Sequence, residues 1–184
     1  KIGSIADLIH FRMVNERTIR RIREGEIDTG YGRFRLTAYR GQTDGEVHIA
    51  LSMGRISPQE PTLVRVHVPS VMRDLVSSHI SGRPAWTVAS CLQAVAERGS
   101  GVVVILAREE SPEQLLHSVD LVLGDKSPAS AMPRDSYTTV GLGSQILKDL
   151  GVGKIHLMGA PIKYNAISGF DLEVLDFVEP SQGQ

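Results

Sequence analysis

His48, His67 and His79 are the imidazoles that this sequence offers as a set of metal ligands, and Cys91 is its one thiol. Nitrogen donors suit zinc when three or four converge. His48 and His67, however, fall in segments that read as strands, and core or surface positions explain the histidines better. A single cysteine excludes an internal disulfide framework and any metal site built on several thiolates, and agrees with a reducing compartment. Cys91 sits among apolar residues at helical spacing, which makes it a buried structural thiol. Gly141-x-Gly143 could present backbone N–H groups to an anion at a helix start, with close helix packing as the other reason for two such glycines. A dinucleotide fingerprint would need a third glycine where Ile146 stands. Adjacent acids at Glu109 and Glu110 repel a polyphosphate unless cations compensate, and a capped, solvated helix start accounts for them better. The chain has no Gly-x-Ser-x-Gly elbow, no phosphate loop ending in Gly-Lys-Ser/Thr and no His-Glu-x-x-His helix.

The elements that must hold these groups are read from periodicity. Residues 4–24 read as helix, because Ser4 with Asp7 resembles a capping pair and Ile5, Leu8 and Ile9 recur at helical spacing. Arg17, Arg20, Arg21 and Arg23 crowd its second half, either as a solvated basic face or as a surface that docks on a partner domain. From Tyr31 the period becomes two. Phe34-Leu36-Ala38, Val47-Ile49-Leu51 and Leu63-Val64-Val66-Val68 are strands bounded by Gly or Pro signals, and three in succession imply an antiparallel opening. Val88, Cys91, Leu92, Val95 and Ala96 form a helix face closed by Gly99-Ser100-Gly101, feeding a buried strand from Val102 to Leu106. Ser111-Pro112-Glu113-Gln114 is a helix start, with Pro at the first helical position and Gln where a capping box wants it. Residues 124–139 read as a long irregular loop. Leu142–Leu150 is a helix stopped by Gly151, followed by strands at Lys154–Met158 and Leu172–Val178. Strands alternating with helices predict an α/β (α+β) fold, a mixed sheet with antiparallel N-terminal strands and packed helices.

Composition narrows the function classes. Hydrophobic residues make up 41% and charged residues 22% of the 184, the balance of a globular domain. A net charge of −1 gives no general attraction to nucleic acid or to an anionic membrane. No stretch approaches the roughly 20 apolar residues of a membrane span, and no secretion signal opens the chain, so a cytoplasmic location is expected. The first residue is Lys1 rather than Met, as in a fragment or a processed product.

Four ordered motifs carry a resemblance. Tyr31-Gly32-Arg33-Phe34-Arg35-Leu36, Gly45-Glu46-Val47-His48-Ile49-Ala50-Leu51, Leu63-Val64-Arg65-Val66-His67 and the run Gly143 to Val152 are similar, in order and approximate spacing, to GTP cyclohydrolase II. The match covers roughly residues 26–180. The arm at residues 1–25, with Ser4-Ile5-Ala6-Asp7-Leu8-Ile9, resembles the segment joining 3,4-dihydroxy-2-butanone 4-phosphate synthase to this domain in bifunctional riboflavin biosynthesis proteins, and residues 181–184 are left as a tail. The resemblance thus implies an upstream lyase domain, with its own magnesium, and a homodimer.

Enzymes of this family open the guanine ring of GTP, release formate and remove pyrophosphate, using a zinc ion held by three cysteines to activate water. The resemblance places those cysteines at Ser70, Gly82 and Pro84, none of which can donate a thiolate, so the family zinc is expected to be absent. The family's nucleotide loop, Gln-Glu-Gly-Arg, falls on Arg108-Glu109-Glu110-Ser111. Its catalytic Asp-x-Arg falls on Ser136-Tyr137-Thr138, where neither a carboxylate base nor a guanidinium remains. Lys163 matches a phosphate-contacting lysine, and Arg65 and His67 lie at the edge of the former site; these three are the nucleotide-binding candidates. Two functions follow: a non-catalytic domain that stabilises, dimerises or regulates the attached lyase, or a sensor of a nucleotide or flavin-pathway compound that uses Lys163 and the turn at Gly141. An active hydrolase with altered chemistry is the third reading.

Overall fold

The computed structural model describes residues 16–42, 44–78, 85–124, 136–159 and 170–180, except for the side chains of 136–138. Within them lie strands β1 (Ile19–Thr29), β2 (Gly32–Gly41), β3 (Val47–Met53), β4 (Pro61–His67), β5 (Gly101–Ile105), β6 (Lys154–Met158) and β7 (Glu173–Val178). Helices α1 (Val88–Arg98), α2 (Pro112–Leu123) and α3 (Ser136–Asp149) connect the later strands, and a short π-helical turn at Val71–Leu75 follows β4. The strands form one mixed sheet in the order β1-β2-β3-β5-β4-β6-β7. Strands β1, β2, β3 and β5 pair antiparallel; β5, β4, β6 and β7 pair parallel. The fold class is therefore the one the alternation of periods predicts.

Each sheet face has its own core. Leu142, Ile146 and Leu147 of α3 pack on Tyr39, Ala50, Val64, Val102 and Val104 on one side. Cys91, Leu92 and Val95 of α1 pack on Phe34, Leu51, Leu63 and Val103 on the other. Burial on both faces explains why Val102–Leu106 reads as a continuous apolar run rather than an alternating one. Local signals fix the helix ends. Thr87 and Ser111 cap α1 and α2 with reciprocal capping boxes, and Gly99 and Gly124 close them in the left-handed conformation. Gly143 lets α3 approach the sheet closely, since a Cβ there would stand 2.7 Å from a methyl of Val66.

Four expectations need correction. Residues 19–24, read as helix, are the first half of β1. A β-bulge between Arg21 and Arg23 inserts a residue at Ile22, so that Ile19 and Ile22 recur at a spacing of three and mimic a helical pattern. Of the rest of that predicted helix, residues 16–18 are irregular and residues 4–15 lie outside the described residues. Residues 136–139 belong to α3 rather than to a loop, because the buried face from Leu142 onward outweighs the weak helix propensity of a Ser/Thr start; residues 125–135 lie outside the described residues. Gly141 accordingly sits inside α3, beyond the first-turn N–H groups that stay free for an anion. The antiparallel opening is made by β1, β2 and β3, while the segment Leu63–Val68 supplies β4, which β5 separates from β3.

Candidate functional site

The site lies outside the carboxyl ends of the parallel strands β4 and β5, where open α/β sheets present their binding crevices. Its walls are the loop after β4 with the π-turn, the loop after β5 and the inner side of α2. They line an open cavity of about 760 Å³ with Val68, Met72, Leu121 and Val122 as apolar lining and Arg73, Arg108, Glu109, Glu110 and His117 as charged or polar lining.

Two carboxylates organise it. Glu110 arrives from the β5–α2 loop: its Oε1 accepts from Ser70 Oγ at 3.0 Å, and its Oε2 from the Val71 N–H at 2.9 Å. Asp74, from the π-turn, accepts from His67 Nε2 at 2.9 Å, from the Ser70 N–H at 2.8 Å and from the Val88 N–H at 2.9 Å. One side chain thus ties the end of β4, the loop beyond it and the first turn of α1. Burial alone would raise the Asp74 carboxyl, but the hydrogen bonds from His67, Ser70 and Val88 outweigh it and hold it down at about 2. His67 is fully buried, and burial pushes its imidazole down to about 4, assisted by the nearby charges of Arg73 and Arg65. At neutral pH the pair is a neutral imidazole donating to an ionised carboxylate. Arg73 completes the group, with Nη2 3.2 Å from Asp74 and donating to the Val68 carbonyl.

The candidate residues from the sequence separate in space. Arg65 and His67 do come together on β4, where Arg65 Nη1 donates to the Met158 carbonyl at 2.7 Å and Nε faces His67 Nδ1 at 3.4 Å. Lys163, Gly82, Pro84 and His79 lie outside the described residues, as do the side chains of Ser136, Tyr137 and Thr138. His48 and His67 project from opposite faces of the sheet: His48 stands opposite Tyr39 over the α3 core, whereas His67 shares the face of Leu63 and α1. They cannot ligate one ion. Both nitrogens of His48 are buried without a hydrogen-bond partner, and burial lowers its pKa. Cys91 is a free, fully buried thiol pushed up to about 12 by desolvation.

The donor set does not fit a tri-thiolate zinc ion. Ser70 directs its hydroxyl at Glu110, Asp74 is saturated by hydrogen bonds, and among the described residues no group of three His, Cys, Asp or Glu side chains converges. Sequence reading missed Asp74 and Arg73 altogether. Arg73-Asp74 between Val71-Met72 and Leu75-Val76 carries no pattern that announces the hydrogen bonds the pair makes.

The model of the family described as GTP cyclohydrolase II matches residues 20–179. The chain belongs to this family. It is 47% identical to a 3,4-dihydroxy-2-butanone 4-phosphate synthase of Pseudomonas aeruginosa, over 97% of this chain and 48% of the relative. It is 34% identical to the riboflavin biosynthesis protein RibBA of Aquifex aeolicus, over 97% of this chain and 46% of that protein. Among solved structures it resembles RibBX of A. baumannii, a two-domain 3,4-dihydroxy-2-butanone 4-phosphate synthase, with a TM-score of 0.70 and 36% identity over 97% of this chain and 45% of that one. The chain therefore spans about half the length of these relatives. Among the described residues no helix is long and apolar enough to cross a membrane.

Proposed function

We infer that this GTP cyclohydrolase II-like chain no longer hydrolyses GTP, holds no zinc, and serves a structural or regulatory role beside a 3,4-dihydroxy-2-butanone 4-phosphate synthase domain in riboflavin biosynthesis. The observation that carries the reading is the Ser70–Glu110 hydrogen bond. The position that the resemblance assigns to a metal thiolate holds a hydroxyl, and that hydroxyl is engaged by a carboxylate. Water activation by a metal needs an anionic or imidazole ligand set with one open position, and this corner supplies a closed hydrogen-bonded one. A cytoplasmic homodimer, with magnesium confined to the lyase half, belongs to the same proposal.

Metal analysis of the purified chain beside a formate-release assay with GTP and added zinc tests it. The expected result is neither bound zinc nor turnover. About one zinc per chain together with formate would sink the reading. For the regulatory role, the lyase activity and association state of a two-domain parent are compared with and without this domain, and a difference in either is expected.

The cavity of about 760 Å³ favours a second reading, a sensor of a nucleotide or a flavin-pathway compound. Gly141 does not contribute to such a site, because it lies within α3. Calorimetry against GTP, GDP and flavin mononucleotide decides it, and no heat at millimolar ligand removes it.

A further inference from the structure

We propose that Arg20, Arg23 and Arg40 form a docking surface for a carboxylate-rich face of a protein partner. The bulge in β1 decides where the arginines point. Arg21 stands opposite Tyr39, on the α3 side of the sheet, where Asp149 and Glu24 take up its charge. On an unbroken strand Arg23 would follow Arg21 onto that side. The extra residue at Ile22 turns it to the other, where it stands opposite Ala38, while Arg20 stands directly opposite Arg40. Ala38 and Arg40 project from the same face of β2, so three guanidiniums share one side of the hairpin.

All three residues are exposed. Arg23 donates to the Ile22 carbonyl, and among the described residues no carboxylate pairs with any of the three. The opposite side of the same hairpin differs: there Arg21, Arg33 and Arg35 meet Asp149, Asp28 and Glu24. Acids therefore accompany the arginines on one side and are missing from the other, in a chain whose acids outnumber its cations. Like charges placed directly across paired strands are destabilising, so Arg20 against Arg40 calls for a compensating anion from outside the fold. Across β2 from Arg20, Val47 pairs with Arg40 and is 38% exposed, adding an apolar shoulder. Helix α1 packs farther along the sheet, on Phe34 and Leu51.

A row of guanidinium forks beside an apolar shoulder on an open sheet face suits a protein surface, since Arg pairs bidentately with carboxylates and is enriched at interfaces. A small phosphate ligand calls for a concave site, and nucleic acid calls for a basic surplus that the chain lacks. The inference does not depend on whether the domain turns over GTP.

Fluorescence anisotropy of labelled hexaglutamate at low salt, on the 184-residue chain, tests it, with inorganic pyrophosphate as the second probe. Hexaglutamate is expected to bind the more tightly of the two. Arg20→Ala and Arg40→Ala should each weaken it by about three-fold and the pair by about ten-fold, without lowering Tm, while Arg55→Ala, an exposed arginine of the β3–β4 turn, leaves it unchanged. Equal loss with Arg55→Ala would reduce the effect to overall charge. Tighter binding of pyrophosphate, absence of binding by hexaglutamate, or a lower Tm in the Arg20 and Arg40 variants would each overturn the proposal.

Discussion

Glu110 Oε1 lies 3.0 Å from Ser70 Oγ, with the Val71 N–H held by the other oxygen of the same carboxylate. The two residues are suited to each other. A thiolate at 70 would press a second anion against Glu110, whereas a hydroxyl donates to it. The tandem acids that look hostile to a polyphosphate thus divide their tasks: Glu110 fastens the β5–α2 loop to the π-turn, and Glu109 faces solvent at the cavity edge.

If Ser70, Gly82 and Pro84 occupy the family's thiolate positions, replacing all three by Cys restores zinc uptake. It does not restore formate release from GTP, because Ser136 and Thr138 still supply neither a base nor a guanidinium. Metal analysis and a formate assay read the two outcomes separately. No zinc in the triple variant would count against the assignment of these positions, and turnover would count against the roles given to residues 136 and 138.

The His67–Asp74 pair makes stability depend on acid. His67 is held at about 4, below its unfolded value of 6.5, so between those limits the unfolded chain binds a proton that the folded chain excludes. Stability is then fully present above pH 6.5 and falls by roughly 3 kcal/mol as pH drops through 4. Asp74, held at about 2 against 3.8 when unfolded, adds a further loss only below pH 4. Urea midpoints measured from pH 7 to pH 4 should decline, and His67→Asn should flatten the slope between 6.5 and 4. An unchanged slope in that variant would assign the dependence to other groups.

How much of this was legible beforehand varies with the range of the interaction. The ends of α1 and α2, the buried strand β5 and the β6–β7 segments follow from caps and periods that operate within a few residues. The placing of the family's thiolates at Ser70, Gly82 and Pro84 rests on the resemblance, and of these three only Ser70 lies among the described residues. The bulge at Ile22 was not legible, because a strand with one inserted residue imitates a helix over a short window. Asp74 was equally hidden: its partners His67, Ser70 and Val88 lie on three different elements, and only the packed sheet brings them together.

Cys91, with its thiol raised to about 12 and fully buried on the inner face of α1, should be inert in the native state. A thiol reagent at pH 8 is expected to leave it unmodified until denaturant exposes it. Rapid modification of the folded chain would mean that α1 opens locally far below the global unfolding free energy.

Asp149, at the end of α3, joins that helix to the basic half of β1 and to Arg17 just before it. It accepts from Arg17, from Arg21 through Nε and Nη2, and from the Tyr39 hydroxyl at 2.9 Å. Tyr39 is fully buried, and burial together with Asp149 pushes its phenol well above the usual tyrosine range, so it stays a donor. Asp149→Ala should cost about 2–3 kcal/mol and Tyr39→Phe about 1 kcal/mol, while Arg17→Ala, whose side chain is 79% exposed, should stay within about 0.5 kcal/mol. Because Tyr39 and Asp149 share a bond, the double variant should lose less than the sum of its parts in urea denaturation. Strict additivity would mean that the Tyr39 hydroxyl finds another partner and that Asp149 acts through the arginines alone.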